Sequence, residues 1–560
     1  MNSPEYSLVS EEWIPCRFMN GKVLKLGLKE VLFQAHDIAE IYDASPLVTT
    51  ALIRLMLALL YRCYPAVTDV EFDANWKRLW YASKLPNAEI ETYLGEWQER
   101  FYLFHDKYPF YQTAGMSVVK ESTKGAIEED PDNVFRMHKD TPDVAVSHLF
   151  DHRHLYESQV DIPVDEAARL LIATQNYGTS SSQSGRYMLG GEAKFDPGGR
   201  QNGLLFKGIV CWLTGRTLKE TLLLNWVHYI ARENDYPCWE SEDYTNQITS
   251  SQKKGNARVP AGPLEIYTWQ ARMVRLLLIE RQGSFRVAQV HFTQGRQAQK
   301  ATIRDPMKFY LRGSNGEDES VLCMTEEKAS WRDVHALLQF KHLKQNDTRP
   351  PVLLHIAERL DKGDVTRNDL PPLILNVSGF VNTQAKLILW RHDRLPLPVA
   401  YLEDADLISR LASLLAEAEK VEEALQTATK ALCRNFLAPG LNDAYGNRIK
   451  EAKEPHPSQV TNLKACLNPA SAYWKMLETD FNILLFSLTG ADKEEASENW
   501  KDAIQERAKQ AFAEAIIRLG NTPQVYKAGI LARPDFRTPS RKNKIAKSPS
   551  KGTKSDASNE

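Results

Sequence analysis

Three histidines and an aspartate fall within seven residues, His148-Leu149-Phe150-Asp151-His152-Arg153-His154, a donor set of the kind that holds a divalent metal. Catalytic metal sites draw further ligands from other elements, and no companion His or Asp signature accompanies this segment. His392 and Asp393 are adjacent, which invites comparison with His-Asp phosphohydrolases. That chemistry takes its ligands from helices, whereas this pair ends a strand-like run, Leu387 to Trp390. Gly190-Gly191 and Gly198-Gly199 lack the G-x-x-x-x-G-K-[ST] spacing that cradles a phosphate. With no serine elbow, no His-Glu helix motif and no clustered carboxylate pair, catalysis has no clear sponsor in the sequence, and no metal or cofactor is expected. The alternatives are a metal-dependent phosphohydrolase using His148 and His152, and a purely structural helical scaffold subunit.

Polar groups suited to binding are more conspicuous. Gly178 to Gly185 reads GTSSSQSG, a short loop whose backbone and hydroxyls can approach a ligand closely. Leu373 to Val377 and Leu387 to Trp390 are apolar, β-favouring runs around Asn382-Thr383-Gln384-Ala385-Lys386, the pattern of a hairpin with an exposed polar tip. Trp76, Trp80, Trp97 and the aromatics of Phe101 to Gln112 are of the type that stacks on bases, but their helical spacing favours core packing.

These groups need a scaffold, and at 560 residues the chain is long enough for more than one. Residues 1–398 mix helical and strand patterns. Ser45-Pro46 opens an almost wholly apolar helix, with Ser at the N-cap and Pro at the first helical position, and such a helix belongs at the centre of a core. Gly115 to Pro163, broken by Pro131 and Pro142, reads as a long irregular loop. Residues 399–536 carry three- and four-residue apolar spacing at Leu407 to Ala438, Gln459 to Leu488 and Glu494 to Leu519, with shorter helices near Val399 and after Gln524, which reads as a four-helix bundle. Residues 537–560 hold seven Lys or Arg against Asp556 and Glu560 and read as a disordered basic tail.

The bulk numbers narrow the partners. A net charge of −2 argues against coating nucleic acid through bulk charge but not against touching it at chosen points. The seven cysteines have no C-x-x-C spacing and read as incidental thiols. Glu5, Glu11 and Glu12 near the start, with no apolar core beside them, do not read as a signal peptide, and the longest apolar run, Leu55 to Tyr61, is far short of the roughly 20 residues of a membrane span. The expected location is the cytoplasm, with no membrane partner.

Several stretches together resemble one family, CasA, the large subunit of the type I-E CRISPR surveillance complex Cascade. EEWIPCR (Glu11 to Arg17) looks like the family's W-x-P opening, and the apolar run after Ser45 like its first long helix. FYLFHDKYPFYQ (Phe101 to Gln112) is similar to its F-x-L-x-H-x-x-x-P-F-x-Q segment, and ENDYPCWE (Glu233 to Glu240) and EIYTWQ (Glu265 to Gln270) to two more, all in the family's order. The resemblance implies an α+β fold, a large mixed α/β N-terminal domain followed by a four-helix bundle. It implies a non-enzymatic subunit for antiviral defence that recognises the protospacer-adjacent motif (PAM) on double-stranded target DNA, helps open the duplex for guide RNA pairing (R-loop formation), and recruits a helicase-nuclease, alongside other Cascade subunits.

The same resemblance assigns residues. Asn382, Thr383, Gln384 and Ala385 match the tip that wedges into the duplex, with Gln384 at its point and Thr383 where an Asn may occur. The family's glycine-rich minor-groove loop falls on Gly178 to Gly185, with Ser180, Ser181 and Ser182 at its centre. A basic side chain that reaches the groove, shortly before Asp305-Pro306, is Arg296, with Lys300 second. The loop ending at His148-Leu149-Phe150-Asp151 looks like one near the guide RNA's 5′ end, anchored by Phe150.

Overall fold

A computed structural model describes residues 5–122, 125–128, 131–134, 137, 161–179, 185–189, 192–196, 202–230, 232–241, 258–299, 304–312, 319–321, 323, 350–383, 386–443, 447–450, 452–532 and 536. The fold is α+β. Two compact units divide the chain, Met1–Ala405 and Asp406–Glu560.

In the first unit the apolar helix is Pro46–Cys63, and every residue from Thr50 to Tyr61 is buried, as a helix apolar on nearly all sides requires. Its length and hydropathy are also those of a membrane-crossing helix. Ser45 occupies the N-cap position without its side chain capping the helix, and Pro46 opens the first turn. One residue breaks the apolar pattern. Arg54, fully buried, donates to Asp305 (3.0 Å) and to the Ile266 carbonyl (3.0 Å) and lies over the Tyr267 ring. Burial, the largest single influence, lowers its pKa, but the Asp305 charge and hydrogen bond, with smaller help from Tyr267 and Tyr177, together raise it.

The first unit also contains five sheets among its described residues. Ile14–Phe18 pairs with Val23–Leu26 on one side and Ile38–Ile41 on the other. Val210–Thr214 pairs with Leu373–Thr383, which pairs in turn with Lys386–Leu397. Arg272–Arg281 and Ser284–Gln294 form a second long hairpin, closed by Gln282 and Gly283, both at positive φ (54° and 75°), the backbone of a tight two-residue turn. Asp132–Asn133 and Ile162–Pro163 pair along its far edge.

Gly115 to Pro163 departs from the irregular loop that its composition suggests. Ser117–Ser122 and Gly125–Glu128 are antiparallel strands, and the first also pairs with Gly185–Leu189. The prolines lie beyond this hairpin, and Val118 and Val119 supply the β-branched residues that a pleated surface accepts.

The second unit is helical: Ala405–Leu437, Pro457–Leu467, Pro469–Ser487, Lys493–Leu519 and Pro523–Ala532. The run from Gln459 to Leu488, continuous in its pattern, is two helices. Asn468 takes a left-handed conformation (φ 35°), ends the first helix and caps the second through Ser471, with Pro469 following at the first helical position. Aromatic polar atoms buried in this unit find backbone or carboxylate partners. Trp500 Nε1 donates to the Leu414 carbonyl (2.9 Å), the Tyr473 hydroxyl to Ala418 (3.0 Å), and Trp474 Nε1 to Glu422 (2.8 Å).

Candidate nucleic-acid interface

The hairpin is longer than its apolar runs suggest. Pairing extends from Leu373 opposite Leu397 to Thr383 opposite Lys386, with a bulge between Val381 and Asn382. Asn376, Ser378 and Gly379 continue the strand because it is central, paired on one side with Val210–Thr214 and on the other with Lys386–Leu397. Pro396 is tolerated because its own strand is at the sheet edge, where a missing N–H costs no ladder bond. Asn382 and Thr383 therefore end a strand, and the bulge is a feature that re-aims the residues beyond it. Gln384 and Ala385 lie outside the described residues.

His392 and Asp393 fall within the outgoing strand. The His392 ring stacks on Trp212 (5.4 Å, 6°), and its Nε2 meets Asn376 Oδ1 at 3.1 Å. Asn376 in turn donates to Thr214 (2.6 Å). Burial, then the Arg394 charge, lowers the His392 pKa. His392 braces the hairpin base through Trp212 and Asn376.

Helix Val164–Tyr177 ends where the serine-rich loop begins. Its last carbonyls are satisfied from outside: Leu205 N–H donates to the Asn176 carbonyl (2.9 Å) and Gly203 N–H to Gly178 (2.6 Å). Gly203 is required by that approach, since a Cβ there would lie 2.5 Å from the Asn176 oxygen. Gly178 is similarly hemmed in, with the Arg272 guanidinium carbon 2.8 Å from where a Cβ would be. Arg272 Nη2 donates to the Thr179 carbonyl (2.5 Å). Ser180, Ser181 and Ser182 lie outside the described residues.

Loop root and hairpin meet in one aromatic core. Tyr177, the residue before Gly178, packs edge-on against Phe380 of the hairpin (5.5 Å, 73°), and Phe380 also meets Phe206 (5.2 Å). All three rings are buried. Two elements about 200 residues apart in the chain are thereby set in fixed relation, through close-packed rings rather than through solvent.

Arg296 joins this neighbourhood through its backbone but turns its side chain inward. Its N–H donates to Gln270 (2.9 Å), two residues from Arg272, while its guanidinium, 5% exposed, donates to Glu265 (2.9 Å) and lies over Trp269. Glu265 is also held by Arg258 and by the Ala261 N–H. Contact with a groove would require the Arg296–Glu265 pair to open. Lys300, Phe150 and the His148 to His154 segment lie outside the described residues.

Trp76 and Trp80 stack on each other in the core, and Phe101 stacks on Phe110, so these aromatics are packing residues. Among the seven cysteines none is in a disulfide, and Cys16, Cys63, Cys211, Cys238 and Cys433 are buried.

Tyr177, Phe380, Gln175 and Arg272 escape a reading of the sequence alone. The available signal is Gln175, a wholly buried amide on the apolar face of its helix, four residues after Leu171. A buried amide demands a partner.

Comparison with known proteins gives one consistent answer. The family model for the CRISPR-associated protein Cse1 matches residues 7–511. The CRISPR-associated protein CasA/Cse1 of Thermus thermophilus is 31% identical over 519 residues, covering 91% of this chain and 92% of that protein. The crystal structure of Thermus thermophilus CasA matches with a TM-score of 0.73 at 26% identity, over 95% of this chain and 98% of the other. A chain from a CRISPR RNA-guided surveillance complex shares the fold, with a TM-score of 0.71 at 20% identity over 95% and 99% of the two chains.

Proposed function

Because this chain belongs to the CRISPR-associated Cse1 (CasA) family, we propose that it is the PAM-reading subunit of a type I-E Cascade complex. In this reading it binds the motif through the minor groove of duplex DNA, wedges the duplex open for guide RNA pairing and recruits the helicase-nuclease, doing no chemistry itself. The observation that carries it is the common core of Tyr177, Phe380 and Phe206, which joins the root of the serine loop to the hairpin. A reader and a wedge act on neighbouring base pairs, so they need a fixed separation. The fold shared with a chain of a CRISPR RNA-guided surveillance complex supports guide RNA and further Cascade subunits as partners.

The residue types suit the task. The minor groove offers mainly acceptors plus the guanine amino group, so hydroxyls, an amide and one basic side chain give a tolerant readout. Ser180 to Ser182 supply the hydroxyls. Lys300 supplies the charge, or Arg296 does after leaving Glu265. Gln384, with Asn382, Thr383 and Ala385 around it, enters the stack, at an unstacking cost of about a few kcal/mol offset by contacts and heteroduplex formation. Base pairing with the guide reads the rest of the target. A net charge of −2 limits indiscriminate phosphate binding during search.

The test is Gln384→Ala in the assembled complex on linear duplex DNA. The opening rate, followed by a fluorescent base analogue beside the motif, is expected to fall roughly tenfold or more, with little change in initial motif contact. An unchanged opening rate removes Gln384 from the wedge.

A further inference from the structure

A reciprocal clamp ties the start of the serine loop to strand Arg272–Arg281. Gln175, wholly buried, donates through Nε2 to the Arg272 carbonyl (3.0 Å) and accepts through Oε1 from the Arg272 N–H (2.8 Å). Its amide thus pairs with the open edge of the strand as a neighbouring strand would. The Arg272 side chain returns the contact across the helix end, Nη2 to the Thr179 carbonyl (2.5 Å) and Nη1 to its neighbour Ala271 (2.7 Å), with Gly178 against its face. Arg272 is 1% exposed.

The helix has no need of this guanidinium for its own termination, because Gly203 and Leu205 already satisfy the Gly178 and Asn176 carbonyls. What Arg272 fixes is Thr179, the last described residue before Ser180. A planar guanidinium with two donors engaged sets both the position and the direction of the carbonyl it holds. Gly178 makes the approach possible, since any Cβ there would displace the guanidinium.

We infer that Arg272 is a positioning residue for motif reading: it fixes Gly178 and Thr179, the root of the serine loop, without touching DNA. This rests on the reading of that loop as the groove-facing element. With its guanidinium buried and engaged on Thr179 and Ala271, Arg272 acts through the loop root, so its loss is felt in discrimination rather than in overall charge.

The experiment uses the complete complex assembled with guide RNA, and a motif first selected by the unaltered complex from duplexes randomised at the motif. Affinities for the selected and a scrambled motif are measured for Arg272→Met, for Arg272→Lys and for a loop variant with Ser180, Ser181 and Ser182 all replaced by Gly. Arg272→Met is expected to lower the selected-to-scrambled ratio roughly tenfold, as a displacement of about 1 Å in a positioned group does, while scrambled-motif affinity stays within about twofold. Arg272→Lys, which keeps the charge but replaces the planar fork by a single ammonium nitrogen, falls between; if Arg272→Met does not fold, it carries the test. An unchanged ratio in the arginine variants beside an altered ratio in the triple-glycine variant overturns the positioning role alone. An unchanged ratio in all three overturns the loop reading with it. An equal fall in both affinities marks Arg272 as a merely structural residue and also overturns the proposal.

Discussion

The neighbourhood of Gly178 and the helical unit are built on opposite principles. In the helices from Ala405 to Ala532, apolar residues recur with the helical period, and polar bonds such as Trp500 to Leu414 finish contacts that burial already makes. Around Gly178, single polar groups are the joints themselves: Gln175 on Arg272, Arg272 on Thr179, Arg54 on Asp305, Gly203 against Asn176. A periodic face tolerates substitution because the remaining residues still bury area, and a lone clamp has no substitute. The difference teaches that the region proposed to bind DNA adds, to its aromatic core of Tyr177, Phe380 and Phe206, single polar joints that have no substitute.

The sharpest way to break that comparison is Asp305→Ala. It leaves the Arg54 guanidinium, wholly buried, without its carboxylate, and the unfolding free energy of the first unit is expected to fall by about 3–5 kcal/mol. Chemical denaturation, with the helical unit's transition as internal reference, measures it. A loss below about 1 kcal/mol would show that the clamps are dispensable and the contrast false.

Trp500→Phe is the matching change in the other region. It removes the bond to the Leu414 carbonyl and part of a buried ring, while the helical pattern around it is intact. The expected loss is about 1–2 kcal/mol, confined to the helical unit's transition. A loss as large as that of Asp305→Ala would erase the distinction from the other side.

The same contrast explains what could be read in advance. Helices announce themselves through local periodicity, so the second unit was legible except at Asn468-Pro469, where apolar spacing continues across a break set by one left-handed residue. The central helix was legible as core, but Arg54 within it gave no hint of Asp305, 251 residues away. The hairpin was legible as a hairpin. Its length was not, since polar Asn376 and Ser378 and the edge proline Pro396 hide strand residues that only their sheet neighbours make favourable. The candidate site drew its outline from family blocks, while its joints, such as Gln175 with Arg272, lie 97 residues apart and leave no local pattern.

A smaller effect refines the comparison through pH. His355, on helix Pro351–Asp361 in the first unit, is buried edge-on to Trp76 (5.7 Å), with neither ring nitrogen hydrogen-bonded. Burial, then the charge of Arg359, holds its imidazole well below the ordinary value of about 6.5; His228 and Lys362 push the same way, and Asp73 opposes them. The folded state therefore keeps His355 neutral at pH values where the unfolded chain binds a proton. Between pH 7.5 and 5.5 the unfolded state takes up more protons, so stability is full at the upper end and falls as pH drops through the unfolded value. The expected loss for the first unit is about 1 kcal/mol over that interval, with a lesser contribution of the same sign from half-buried His392. The helical unit holds one histidine, His456, which is exposed. His355→Leu, which keeps an apolar side chain against Trp76, is expected to flatten most of the pH dependence in thermal melts. If the slope persists unchanged in His355→Leu, the buried imidazole is not its source, and half-buried His392, whose pKa is lowered in the same direction, takes its place.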